Sequence, residues 1–389
     1  MKTIHFTSLV GVLAILLLVS CQKDNFESNA SATPVLPEVP FDYVSNSKAV
    51  MDIRMPDMDL VNTFSTQFAV SAVTTNIGQS MTSEVHDNDV ATLGRVLFYD
   101  GLLSKNNSTA CASCHHQENA FADGNVFSPG FGGSVTTRNS LSFQNLSLGN
   151  NFFWDSRQRE LNTLVEEPIL NHIEMGIEDL PALMTKLQNT SYYPELFEKA
   201  YGSTAVTQTK FTEALTQFLA SITTTNSTYD RAIEDDFSDF SSMEKLGMAI
   251  FYSDKALCGS CHTGANFAAP DAVDQYYNPS RGTTNIGLDV DYFDNGRGEG
   301  EFKIPSLRNI AMTAPYMHDG RYQTLREVLD HYNTGIQPHP NLDFKLQKNG
   351  EPIKMDLSSL ELDALEAFMH TLTDEDMLTD ERYSNPFRK

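Results

Sequence analysis

Apolar residues recur at helical spacing along most of this chain, and two stretches share one layout. Leu93-Gly94-Arg95-Val96-Leu97-Phe98-Tyr99-Asp100 and Leu246-Gly247-Met248-Ala249-Ile250-Phe251-Tyr252-Ser253-Asp254 both keep a helical period. Each ends in an aromatic pair, then Asp, and runs through a loop into the same five-residue pattern. An internal repeat explains this better than two amphipathic helices meeting one motif by chance. Between the copies the period predicts helices over 161–169, 180–188 and 211–222. In the last, Phe211, Leu215, Phe218, Leu219 and Ile222 line one face. After the second copy, 263–303 reads as a Gly/Asn/Asp-rich loop, and 325–332 and 357–372 as closing helices. Strand patterns are few. The class is mainly α, with long loops.

The ends and the middle carry different patterns. Residues 1–21 place Lys2 before an apolar run over 9–19 and finish Leu18-Val19-Ser20-Cys21. That is the layout of a secretory signal, and the run is short for a membrane span. Its ending resembles a bacterial lipobox, which implies lipidation at Cys21; a plain cleaved signal and an uncleaved anchor are the alternatives. The stretch 22–42, polar with Pro34, Pro37 and Pro40, reads as a tether, and 43–85 carries no nameable chemistry. The acidic, serine-rich run 234–242 reads as a domain boundary. The expected division is therefore signal 1–21, tether and extension 22–85, domains 86–235 and 236–375, and a polar tail 376–389.

The repeated pattern is Cys111-Ala-Ser-Cys114-His115 and Cys258-Gly-Ser-Cys261-His262. C-x-x-C-H attaches a c-type haem: two thiols add to the vinyl groups of one porphyrin, and the adjacent imidazole binds the iron. Zinc is the competing ligand for such residues. It normally closes with a second Cys/His pair nearby, whereas these motifs lie 258 − 111 = 147 residues apart. The expected architecture is two cytochrome c-like haem domains related by duplication, holding two covalent haem c groups. Four of the five cysteines lie in the motifs and the fifth is Cys21, so none remains for a disulfide. Haem attachment outside the cytoplasm agrees with export, to the periplasm or the outer face of a bacterial membrane.

A formal charge of −24, from 51 acidic and 27 basic residues, argues against nucleic acid and against a polybasic membrane contact. It suits a basic redox partner, or simply keeps an exported protein soluble. The sixth position of each iron decides its work. A filled site transfers electrons, and an open one binds small oxidants. His116, His172, His318, His331, His339, His370 and many methionines are compositional candidates for that position.

Three ordered stretches resemble the bacterial di-haem cytochrome c peroxidase family, including its MauG-type enzymes. They are Asn151-Phe-Phe-Trp154-Asp155-Ser-Arg157, Ile173-Glu174-Met175-Gly176, and Pro305-Ser-Leu-Arg308-Asn309 with Thr313-Ala314-Pro315-Tyr316-Met317-His318-Asp319-Gly320. The similarity runs from about 93 to 372. It implies that the first haem is the peroxide site and the second the electron-transfer haem. It also implies that Trp154, the single tryptophan, stands between the porphyrins, and that Glu174 is the distal acid moving a proton on bound peroxide. Read alone, Trp154 is equally a core aromatic and Glu174 a surface charge.

Two positions depart from the usual family pattern. Where many members carry a blocking histidine, Ser128-Pro129-Gly130-Phe131-Gly132-Gly133 has Phe131, which cannot ligate iron; His116 could substitute. The family's distal methionine falls on Tyr332, where MauG-type enzymes have tyrosine, with His331 a competing neighbour. A phenolate there favours ferric and higher iron and lowers the potential. The family also holds a calcium ion between its domains, matched by Asn139, Thr313 and Pro315. The expected activity is reduction of hydrogen peroxide with electrons from a small cytochrome c or cupredoxin. MauG-type oxidation of a partner protein's side chains and a pure electron carrier are the alternatives. Membrane contact is expected only through the lipid, and a homodimer is compatible with this reading.

Overall fold

The computed structural model describes residues 32–65, 83–268, 282–291 and 293–387; the signal segment and Cys21 lie outside the described residues. The protein is mainly helical. Among the described residues its strands are two-residue antiparallel pairs, Thr283–Thr284 with Phe302–Lys303 and Gln347–Lys348 with Glu351–Pro352.

Two crossed helix pairs organise the molecule. Asn88–Tyr99 packs on Gln208–Ser221, and Ser242–Phe251 packs on Ser359–His370. Each helix starts on a side-chain cap: Asp87, Thr207, Ser241 with Glu244, and Ser358 with Glu361. Both crossings depend on a glycine that meets backbone. A Cβ on Gly94 would fall 1.9 Å from the Ala214 carbonyl oxygen, and one on Gly247 would fall 1.9 Å from that of Ala364. No side chain fits in that gap, so alanine at either position must push the helices apart. Phe98 and Phe218 fill the first crossing, and Phe251 and Phe368 the second, with ring centroids 5.3 and 5.2 Å apart.

The predicted helices are present with altered ends. The 161–169 pattern is split into Leu161–Leu164 and Glu167–Leu170, with Pro168 opening the second. The 325–332 pattern ends at Asp330 and passes into a π turn over His331–Gly335.

Three boundaries differ from expectation. The tether reading holds at most up to residue 31, because Ala32, Leu36, Phe41 and Val44 pack on the first core and the Val35 amide donates to Pro386 at 2.8 Å. The polar tail is also docked. Met377, Tyr383 and Phe387 are buried in that core, and the Tyr43 hydroxyl donates to the Arg382 carbonyl at 2.8 Å. Apolar residues spaced through polar stretches seal the helix pair at its open side. The run 234–242 is no simple linker either, since Phe237 and Phe240 are buried in the second core. That core already includes Tyr229, whose ring packs on Phe237, Phe267 and Phe368, and the next residue, Asp230, forms a bidentate pair with fully buried Arg308 at 2.8 Å per bond.

Candidate active site

Each pentapeptide begins with one 3₁₀ turn, Cys111–Ser113 and Cys258–Ser260, which sets its two thiols and its imidazole on the wall of one cavity. The first cavity has a volume of about 720 Å³ and the second about 190 Å³. His115 Nδ1 lies 2.7 Å from the Phe121 carbonyl, and its ring stacks on Phe143 at 3.8 Å. His262 Nδ1 faces the carbonyls of Phe267 and Pro305 at 3.0 and 3.1 Å. With Nδ1–H donated to carbonyls, Nε2 is the nitrogen left to bind a metal. Burial holds His115 down to about 4 and keeps His262 below its ordinary value, which favours the neutral imidazole at both.

Burial pushes Cys111, Cys114 and Cys258 up to about 12 and moves Cys261 the same way. Burial alone disfavours the thiolate form at both motifs. Among the described residues no group of three or more His, Cys, Asp or Glu side chains is placed to hold a metal ion. The donor set fits a haem c in each cavity and does not fit zinc.

Glu174 stands on the wall of the first cavity with the Cys111 motif. Its loop is wound tightly: the Asn171 carbonyl accepts the amides of Glu174, Met175 and Gly176 at 3.1, 3.1 and 2.8 Å. The Asn171 carboxamide donates to Glu174 Oε1 at 2.7 Å. Burial raises the proton affinity of Glu174, and the Arg157 charge and the Asn171 hydrogen bond partly offset this. Asn171 was not legible as a site residue; its spacing of three from Glu174 is the only signal.

The Phe131 loop clamps this loop from outside. The Phe131 amide donates to the Glu174 carbonyl at 2.9 Å, and a Cβ on Gly176 (φ +70°) would lie 2.6 Å from the Phe131 ring. Phe131 does not line the cavity, and neither do His116 and His172. His115 is the only histidine on that wall among the described residues.

Tyr332 lines the second cavity, as do Met317, Met355 and Met369. His331 does not; its Nε2 faces the Ile286 carbonyl at 3.1 Å. The π turn separates these neighbours, since its extra residue re-aims the side chains. Burial pushes the Tyr332 phenol well above its ordinary value. His339 is engaged with Asn285 and Asn341, and His370 is exposed. His318 lines the second cavity but stacks on Phe302 at 3.7 Å.

The cavities share a wall made of Asn139–Ser142, Trp154, Lys303, Pro305 and Ser306. Trp154 is held there from both ends. Its Nε1 donates to the Asn139 carbonyl at 2.9 Å, and its own carbonyl accepts the Lys303 amide at 2.7 Å. Asn139 Nδ2 donates to the carbonyls of Asn125 and Val126 at 3.0 and 3.3 Å, leaving Oδ1 as its acceptor. Thr313 and Pro315 line the second cavity beside it.

This arrangement agrees with the comparisons. The family model described as di-haem cytochrome c peroxidase matches residues 88–238. A methylamine utilization protein MauG from Methylorubrum extorquens is 33% identical over 294 residues, covering 73% of this chain and 78% of that protein. The chain belongs to the di-haem cytochrome c peroxidase and MauG family. A cytochrome c551 peroxidase from Nitrosomonas europaea, a second relative, is 31% identical over 254 residues, or 62% of this chain and 72% of that one. Among solved structures, a MauG-like protein associated with microbial copper homeostasis superposes with a TM-score of 0.69 at 30% identity, over 81% of this chain and 96% of that one. Membership of the di-haem family implies two c-type haems, and the two walls just described are where this chain can hold them.

Proposed function

We propose that the protein is an exported di-haem peroxidase that reduces hydrogen peroxide to water, with electrons from a cytochrome c or cupredoxin passed through the second haem. The observation that carries this reading is Glu174, a buried carboxyl of raised proton affinity on the wall of the His115 cavity. The balance is one peroxide, two electrons and two protons to two waters. The haem held by Cys111, Cys114 and His115 supplies the iron at which peroxide takes up electrons. Glu174 accepts a proton from one peroxide oxygen and returns it to the oxygen that leaves as water. Asn171 fixes the Oε1 lone pairs so that the other oxygen is the one presented. Trp154 lies on the wall common to both sites, where its polarisable ring would shorten the electron's path to a haem held by Cys258, Cys261 and His262, and Tyr332, on the second wall, is the residue that would supply a further ligand.

A second reading, MauG-type oxidation of a partner protein's side chains, is favoured by two residues. Phe131 leaves no loop histidine at the first cavity, and Tyr332 is a donor that suits oxidised iron. With Phe131 in the place of the blocking histidine, both readings predict a first iron with an open position at rest. Resting-state EPR of the holoprotein is expected to show a high-spin signal that disappears on adding peroxide. Two low-spin signals that peroxide leaves unchanged, in the resting protein and after partial reduction, would leave only the carrier reading.

The matching Gly94 and Gly247 crossings support descent from one duplicated haem unit. Asn139, Thr313 and Pro315 are the residues that would hold a calcium ion, which takes oxygen donors of the kind they offer. The charge-then-apolar layout of the first 21 residues, ending Leu18-Val19-Ser20-Cys21, supports export with a lipid at Cys21. Elemental analysis near one calcium per chain and an acylated Cys21 N-terminus by mass spectrometry are the expected results. A calcium-free holoprotein or an unmodified N-terminus retires the respective assignment.

A further inference from the structure

The two pentapeptides are alike, but the segments that hold their histidines differ. Asn145 and Asn309 mark matching places in the two halves. Each has a left-handed φ, +50° and +55°, and each caps a 3₁₀ turn, Leu146–Leu148 and Ile310–Met312. Their amides donate to the carbonyls of Ile222 and Leu372, next to the ends of the helices Gln208–Ser221 and Ser359–His370. Counting back from these two asparagines pairs Ser140 with Ile304 and Phe143 with Leu307.

The pairs put different chemistry beside the two imidazoles. Ser140 Oγ donates to the Cys114 carbonyl at 2.9 Å and lies 3.2 Å from His115 Nδ1. With its proton spent on Cys114, the hydroxyl has lone pairs left for Nδ1–H. The Phe143 ring stacks on the same imidazole, and the Phe121 carbonyl is its nearer acceptor at 2.7 Å. At His262 the matching residues are aliphatic. Among the described residues its Nδ1 meets carbonyls only, at 3.0 and 3.1 Å, and the nearer one, Phe267, also accepts the Leu307 amide at 3.2 Å. An imidazole that shares more of its Nδ1 proton is more basic at Nε2, and a more basic ligand favours oxidised iron. We propose that Ser140 is a positioning residue of the first haem alone, holding that iron toward its oxidised state through His115. Ile304 leaves the second iron without this push. The inference rests on a haem at His115, which family membership implies, and not on peroxide as the oxidant.

The test is spectroelectrochemical titration of wild type, Ser140→Ala and Ser140→Thr without peroxide, with haem content measured by the pyridine haemochrome. His262→Met marks which couple belongs to the second haem. At a fixed poise, Ser140→Ala is expected to raise the reduced-to-oxidised ratio of the first haem by about threefold to tenfold, the range one hydrogen bond is worth. The upper figure corresponds to about 59 mV for a one-electron couple. The second haem should stay near wild type, and Ser140→Thr, which keeps the hydroxyl, should leave both there. Ser140 belongs to the wall common to both cavities, so a merely structural disturbance would move both couples. Equal shifts at both haems, no shift at the first, or a shift that Ser140→Thr reproduces overturns the proposal. Should Ser140→Ala load fewer than two haems, Ser140→Val is compared with Ser140→Thr under the same criterion. Because peroxide is absent from the assay, its outcome and that of the peroxidase reading are independent.

Discussion

Glu174→Gln is expected to slow peroxide turnover by about 10²–10⁴-fold, the range that a positioned acid–base group contributes. The visible spectra of both haems should change little. An amide keeps the shape of the carboxyl and can still meet Asn171, but it cannot take up and return a proton. The pH profile gives an independent signature. Burial raises the proton affinity of Glu174, so the rate should fall on the acid side at a pH above the ordinary carboxylate range. The variant should lack that limb. Stability separates chemistry from folding. A carboxyl whose folded pKa is raised loses stability as pH rises through that pKa. Glu174→Gln should therefore be at least as stable as wild type at neutral pH, with the difference fading in acid. Normal turnover in a fully loaded variant would remove Glu174 from the mechanism.

Tyr332→Met is expected to raise the potential of the second haem on the order of 100 mV, since axial-ligand identity spreads haem potentials over roughly 0.8 V. A thioether stabilises ferrous iron, whereas an anionic phenolate stabilises ferric iron. Burial makes the phenol costly to ionise, so ligation by Tyr332 would need the iron's charge to offset that cost. The substituted protein should become a better acceptor from a high-potential cytochrome and a poorer sharer of oxidising equivalents. An unaltered potential would transfer the ligand role to another residue of that wall, with Met317 the first to examine.

The contrast between Phe131 and Asn171 shows where sequence reading stops. Phe131 is legible because its loop has a family counterpart, and its inability to ligate follows from composition. Its actual work, clamping the Glu174 loop through Gly176, depends on a contact across 45 residues that no local pattern encodes. Asn171 is three residues from Glu174, yet only the wound loop turns its carboxamide onto the carboxyl. The choice between His331 and Tyr332 is similar. Adjacent residues cannot be ranked by spacing, and across a single π turn one is buried against the Ile286 carbonyl while the other lines the cavity.

By itself the sequence determined the helical class and the two haem-attachment motifs. Each of these is local, a period of apolar side chains or five consecutive residues whose spacing matches one porphyrin. It left the docked ends unread, because Leu36, Phe41, Tyr383 and Phe387 are isolated apolar residues in polar stretches and earn no periodic signal. Only the tertiary structure decided that those ends close the first core, which histidines reach the cavities, and that Trp154 and Lys303 belong to both. Those are statements about two surfaces meeting, and burial and hydrogen bonding between distant segments set them.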